Sequence, residues 1–129
     1  METNGTVEVD FHRFPVYGRA VFSLSVKLSN SGEPEHRRIN PAALRAVQFH
    51  APESFFKFVL DGKNLETLAK EIEQVREHAP ELEVFCMPMG ETAEKLAEND
   101  KAVFEFCVEK GYGYSDRIHI RVWGKKGGV

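Results

Sequence analysis

Four apolar residues, Leu65, Leu68, Ile72 and Val75, recur at 3-4-3 spacing between two short apolar runs, "SFFKFVLDG" (54–62) and "LEVFCMP" (82–88). No other feature constrains the fold as much. The spacing predicts a helix from Asn64 to about Ala79-Pro80 with all four side chains on one face. The flanking runs have the length and composition of strands, the first closed by the turn dipeptide Asp-Gly. A strand, an amphipathic helix and a strand joined by short links form a βα unit, so the two strands are expected to run parallel with a right-handed crossover.

The same alternation extends in both directions. Upstream, the β-branched and aromatic stretch "AVFSLSVKL" (20–28) predicts a strand, and "SNSGEPEHRRINP" after it predicts a long polar loop. Asn40 before Pro41 is a helix N-cap with proline at the first helical position, opening a short helix over "PAALRAVQFH". Downstream, "ETAEKLAENDKAVFEFCVEKGYG" predicts a long helix that turns Leu96, Val103 and Phe106 to the core and stops at Gly111. "RIHIRVWG" then predicts a fourth strand. The class is α/β, with βα units on a parallel sheet, and residues 1–129 are expected to be a single domain. A four-stranded parallel sheet would leave long apolar edges bare. The opening "ETNGTVEVDFHRFPVYGR" also starts at a turn-like Asn-Gly, as if a preceding strand belonged to it. Both features suggest part of a larger sheet or barrel.

Bulk properties exclude several classes. No apolar run approaches the roughly 18 residues of a membrane span, and the polar start does not resemble a secretion signal. A cytoplasmic location is expected. Seventeen basic against twenty acidic residues give a net charge of −3, without the basic footprint of a dedicated nucleic-acid binder. The two cysteines, Cys86 and Cys107, sit in separate apolar segments and read as reduced core residues. The five histidines lack ligand spacing, so no histidine-based metal site is expected.

In parallel α/β sheets, ligand-binding residues collect where strand C-termini open into loops. That rule selects Glu2 to Gly5, Ser25 to Gly32, Met87 to Gly90, and Trp123 to Val129. Ser25 and Lys27 alternate with apolar Leu24, Val26 and Leu28, so both polar groups leave the strand on one side. A lysine there can hold a carboxylate or phosphate, and a serine can donate or accept a hydrogen bond. Taken alone, the pair reads equally as a solvated strand end. "MPMG" joins polarizable sulfur to a proline-fixed turn and a glycine that admits a ligand to the backbone, yet it also describes an ordinary strand-to-helix turn. Arg117 and His119, on alternate positions of the expected last strand, form a possible anion site. No phosphate-binding loop, nucleophile elbow or zinc-protease motif is present.

In order, "ETNGT", "SLSVKLSNSG", "FFKFVLDG", "VFCMPMG" and "YSDRIHIRVWGKKGGV" resemble successive blocks of the 7-carboxy-7-deazaguanine synthases over nearly the whole chain. These are radical S-adenosylmethionine (SAM) lyases of queuosine biosynthesis, a tRNA modification pathway. The closing Arg-x-His-x-x-x-Trp-Gly run with its lysines, glycines and terminal valine carries the most specific likeness. The resemblance implies conversion of 6-carboxy-5,6,7,8-tetrahydropterin to 7-carboxy-7-deazaguanine with loss of ammonia. It also implies an incomplete (β/α) barrel, a [4Fe-4S] cluster, SAM, Mg²⁺ and a homodimer. Carried over by position, Thr3, Asn4 and Gly5 would lie beside SAM or substrate. Ser25 and Lys27, with Val26 where the family has proline, would contact SAM or substrate. Met87, Pro88 and Gly90 would line the SAM pocket, and the Val129 carboxylate would reach the pterin.

The family's cluster is held by three closely spaced cysteines, and this sequence has no such motif. The Mg²⁺ ligand and the glycine-rich SAM segment, which precede "ETNGT" in the family, have no counterpart either. The likeness is therefore to the C-terminal portion, truncated or encoded as a split enzyme and not expected to be active alone, with an N-terminal half on a separate chain, or a homodimer, as the expected partner. The alternative is a non-catalytic purine-, pterin- or partner-binding domain derived from that enzyme.

Overall fold

A computed structural model describes residues 1–124. Five strands, β1 (Glu2–Thr3), β2 (Ser23–Leu24), β3 (Phe55–Leu60), β4 (Glu83–Pro88) and β5 (Gly113–Tyr114), form one sheet. Their spatial order is the chain order, and every ladder is parallel. The connections carry α1 (Glu35–Arg38), α2 (Pro41–His50), α3 (Leu65–Arg76) and α4 (Ala93–Lys110), and α5 (Ile118–Trp123) follows β5. The first crossover has no α-helix, only a 3-10 turn at Pro15–Arg19.

This order decides how the sheet is covered. Each right-handed crossover steps the same way, so every connecting segment stacks on the same face. Burial alternates to match. On β3, Phe56, Phe58 and Leu60 are fully buried toward the helices, while Phe55, Lys57 and Val59 are half-buried on the other face. Around β2, Phe22, Leu24, Val26 and Leu28 are buried, whereas Ser23 and Ser25 are half-buried and Lys27 is exposed. The helices close over this core through Leu44 and Val47 of α2, Leu68, Ile72 and Val75 of α3, and Leu96, Val103 and Phe106 of α4.

The helix ends follow local chemistry. Asn40 Oδ1 accepts from Ala43 N at 3.2 Å with Pro41 at the first helical position, and Thr92 Oγ1 accepts from Lys95 N at 3.2 Å. The long helix ends at Gly111, whose φ of 71° is the left-handed cap that glycine adopts without strain.

Three expectations are corrected. "RIHIRVWG" is not a strand: Ile118–Trp123 is helical, and the place beside β4 belongs to Gly113–Tyr114. Arg117 and His119 therefore do not share a strand face. The sheet has five strands, because Glu2–Thr3 pairs with Ser23–Leu24 at the opposite margin. The strand expected over 20–28 contributes only Ser23–Leu24 to the ladders, although its inside-outside alternation runs on to Leu28. In addition, a one-turn helix, α1, interrupts the expected long loop. Among the described residues, no helix is long and apolar enough to cross a membrane.

Candidate ligand-binding face of the sheet

The face without helices carries a polar cluster contributed by three neighbouring strands. Glu2 Oε1 accepts from Lys57 Nζ at 2.8 Å and from Ser25 Oγ at 3.0 Å. The Lys57 hydrogen bond, then that of Ser25, holds the Glu2 carboxyl below its usual range, and the Lys27 charge adds to the effect. Toward the N-terminal ends of the strands, Phe55 and Phe85 meet edge to face at 5.1 Å. The Phe85 ring lies across Gly113, where a Cβ would fall 2.3 Å from its Cδ1, so β5 passes there only as glycine. Toward the C-terminal ends, Val59 pairs with Met87 in the ladder. One open surface thus combines an aromatic floor, a carboxylate, a hydroxyl and two ammonium groups, a set that can grip a flat ligand carrying both charges.

The loops at the strand C-termini are held from behind. Thr3 Oγ1 accepts from Gly5 N at 3.3 Å, and Asn4 Oδ1 accepts from Thr6 N and Thr6 Oγ1 at 3.1 and 2.7 Å, so this turn shapes itself with its own side chains. Gly5 is buried at φ 71°, and a Cβ there would lie 3.0 Å from Leu44. After β2, buried Arg38 donates Nη1 to Lys27 O at 3.0 Å and Nε to Glu33 O at 2.7 Å, and its guanidinium lies 3.7 Å from Glu71. Glu71 in turn accepts from Ser29 N and Oγ. Asn99 of α4 ties two loops together, accepting from Gly62 N at 3.0 Å and donating to Met89 O at 2.7 Å. Arg117 Nη1 donates to Gly90 O at 2.9 Å.

Sequence reasoning placed Ser25 and Lys27 on one side of their strand, and the structure puts them there beside Glu2. It selected the segment from Glu2 to Gly5 without a role for the Glu2 carboxylate, and it missed Lys57. The available signal was Lys57 itself, a charged residue inside the apolar run "FFKFVL". Met87, Pro88 and Gly90 are buried at the end of β4, with the Gly90 carbonyl engaged by Arg117. Arg38 and Asn99 were also missed, since a buried arginine inside a polar loop has no pattern of its own. Arg121, on α5, pairs with Asp100 at 3.0 Å and Asp116 at 2.8 Å, while His119 is exposed. Val129 lies outside the described residues.

The donor set does not fit an iron–sulfur cluster or Mg²⁺. Among the described residues, no three His, Cys, Asp or Glu side chains converge on a point where a metal could sit. The two thiols are buried in the core, and the Cys86 thiol is pushed up by its hydrogen bond with Cys107 and by burial, so it stays protonated. Open pockets lie elsewhere. One of about 280 Å³, lined by residues such as Phe11, His12 and His50, flanks the first crossover and the end of α2.

A curated protein named 7-carboxy-7-deazaguanine synthase, from Pyrobaculum aerophilum, is 29% identical to this chain over 135 residues. The match covers 96% of this chain and 55% of the relative, so the chain spans about half the relative's length. No protein-family model matches, and no solved structure matches.

Proposed function

We propose that this chain is the C-terminal part of a 7-carboxy-7-deazaguanine synthase, its five strands forming one portion of an incomplete (β/α) barrel. The reaction is conversion of 6-carboxy-5,6,7,8-tetrahydropterin to 7-carboxy-7-deazaguanine with loss of ammonia. The observation that carries this reading is the extent of the match: a protein of that name aligns with 96% of the chain. The uncovered face supports it, because a parallel sheet with helices on one side and polar groups on the other matches a barrel wall whose inner surface binds ligand.

On this reading SAM, when bound, supplies the radical chemistry. The residues of this chain bind and orient. Lys27, whose ammonium is exposed and makes no hydrogen bond among the described residues, takes a carboxylate of SAM or substrate. Ser25 and Glu2 accept or donate to a ligand amino group, with Lys57 keeping Glu2 ionised. Thr3, Asn4 and Gly5 form one rim of the pocket and Met87, Pro88 and Gly90 the other. A three-cysteine cluster and Mg²⁺ belong to the part of the synthase that the match leaves uncovered, because the ligands here do not suit them.

The test combines the chain with the portion of the P. aerophilum protein that the match leaves uncovered. After anaerobic iron–sulfur reconstitution, SAM and carboxytetrahydropterin are added and product is followed by chromatography. Product from the pair and from neither part alone is expected. A cluster-loaded pair that forms no product, or a chain that binds pterin but needs no partner, would reject the assignment.

A further inference from the structure

The two cysteines are reactive groups that the ligand face does not use, and the fold brings them together. Cys86 lies in β4 and Cys107 near the end of α4, 0% and 2% exposed. Cys107 Sγ donates to Gly113 O at 3.5 Å. Gly113 and Tyr114 lie opposite Phe85 and Cys86 in the ladder, and Ser115 N donates to Cys86 O at 2.8 Å. The last turns of α4 therefore set one thiol on the stretch of sheet that carries the other. There the Cys86 thiol donates to the Cys107 sulfur, completing a relay from Cys86 through Cys107 to the Gly113 carbonyl. These are the chain's only cysteines, so no third thiol competes for either.

Their cover differs. Cys86 is flanked in the sheet by Phe58 of β3 and Tyr114 of β5. Around Cys107 the cover is thinner, since Val108 to Gly111 are exposed and β5 adds only two residues beyond them. Local opening of this turn uncovers Cys107 first. The hydrogen bond from Cys86 also eases loss of the Cys107 proton, against the opposing effect of burial. Cys107 is thus the thiol that attacks, and Cys86 the one that resolves.

We propose that Cys86 and Cys107 are a redox-sensitive staple, joining in an internal disulfide between β4 and α4 by exchange with an oxidised low-molecular-weight disulfide such as oxidised glutathione. The Cys107 thiolate first displaces one glutathione thiolate and forms a mixed disulfide. Cys86, giving up its proton, then displaces the second glutathione thiolate and forms the Cys86–Cys107 bond. One S–S bond is broken in the oxidant and one is made in the protein. The two thiol protons and two electrons leave with two molecules of reduced glutathione. The bond closes a ring over residues 86–107, which holds the Met87–Gly90 turn and Asn99. Asn99 ties that turn to the loop after β3 through Met89 O at 2.7 Å and Gly62 N at 3.0 Å, so the closed ring stiffens the strand-end loops. The bearing of this on a SAM pocket rests on the synthase reading above; the staple itself does not.

In the test, the full chain under native conditions is equilibrated with oxidised glutathione, quenched in acid, treated with iodoacetamide in denaturant and weighed intact. Loss of two hydrogens, no alkylation and a peptide joining Cys86 to Cys107 are expected. The oxidised chain should keep its circular dichroism and melt roughly 5–10 °C higher. Its amide exchange at Met89 and Leu96 should slow at least about threefold. Dithiothreitol should reverse all of these. Cys86→Ala, lacking the resolving thiol, should stop at a mixed disulfide with glutathione on Cys107; the measurements on the native chain do not depend on how this variant folds. Alkylation of both thiols after the oxidant, a bond that forms only in urea, or chains linked to one another through either cysteine would overturn the staple. So would a native bond that leaves exchange at Met89 unchanged, or a folded Cys86→Ala that takes up no glutathione. None of these readouts uses turnover, so the staple and the synthase reading fail separately.

Discussion

Tyr112 shows how one side chain couples two elements to pH. Its hydroxyl donates to Glu73 of α3, and Arg76 pairs with the same carboxylate at 3.0 Å. Burial, then the hydrogen bond to Glu73, pushes the Tyr112 phenol from 10.0 up to about 12. A raised phenol stabilises the fold fully below the unfolded value, and that contribution is lost as pH rises through the folded value. Stability should therefore fall between pH 10 and about 12, and Tyr112→Phe should flatten that limb in urea titrations. Arg38 acts without titrating. Replacing it with Ala strands the carbonyls of Lys27 and Glu33 and should cost about 2–4 kcal/mol in chemical denaturation, with faster amide exchange over residues 27–33. Lys57→Met should leave the fold intact and return the Glu2 carboxyl toward its ordinary range, since its main hydrogen-bond partner is gone; NMR titration of that carboxyl reads the change.

Among the elements, α3 and α4 were legible because many residues repeat one helical period and their ends carry recognisable stops. The C-terminal "RIHIRV" was not. Ile118, Ile120 and Val122 alternate as a strand would, but only Ile120 is buried, and Gly113–Tyr114 already occupies the position beside β4. Those two residues have no apolar alternation to announce them; their placement comes from the Phe85 ring and the β4 ladder. β1 escaped for the same reason, being two residues long. Within the site, the side of Ser25 and Lys27 followed from alternation, whereas Glu2 reaches them only through pairing between strands far apart in sequence. The loop after β4 makes a sharp prediction: a Cβ at Gly90 would lie 2.7 Å from Leu96 N, so Gly90→Ala must displace the start of α4. A loss of about 1–3 kcal/mol in the urea midpoint is expected.

At the scale of the whole molecule, the sheet is covered by helices on one face and open on the other. That is the form of a wall rather than of a closed vessel, which is why the ligand groups lie on an open surface. On the proposed reading, this wall supplies the binding half of a synthase, and the cluster-bearing half is the part of that enzyme the match leaves uncovered. The most direct test is anaerobic turnover of carboxytetrahydropterin with SAM by the reconstituted pair, comparing the native chain with Lys27→Ala. Product is expected only when both parts are present, falling about tenfold or more with Lys27→Ala as a charge contact to the ligand is lost. No product from a cluster-loaded pair, or full turnover by Lys27→Ala, would contradict it.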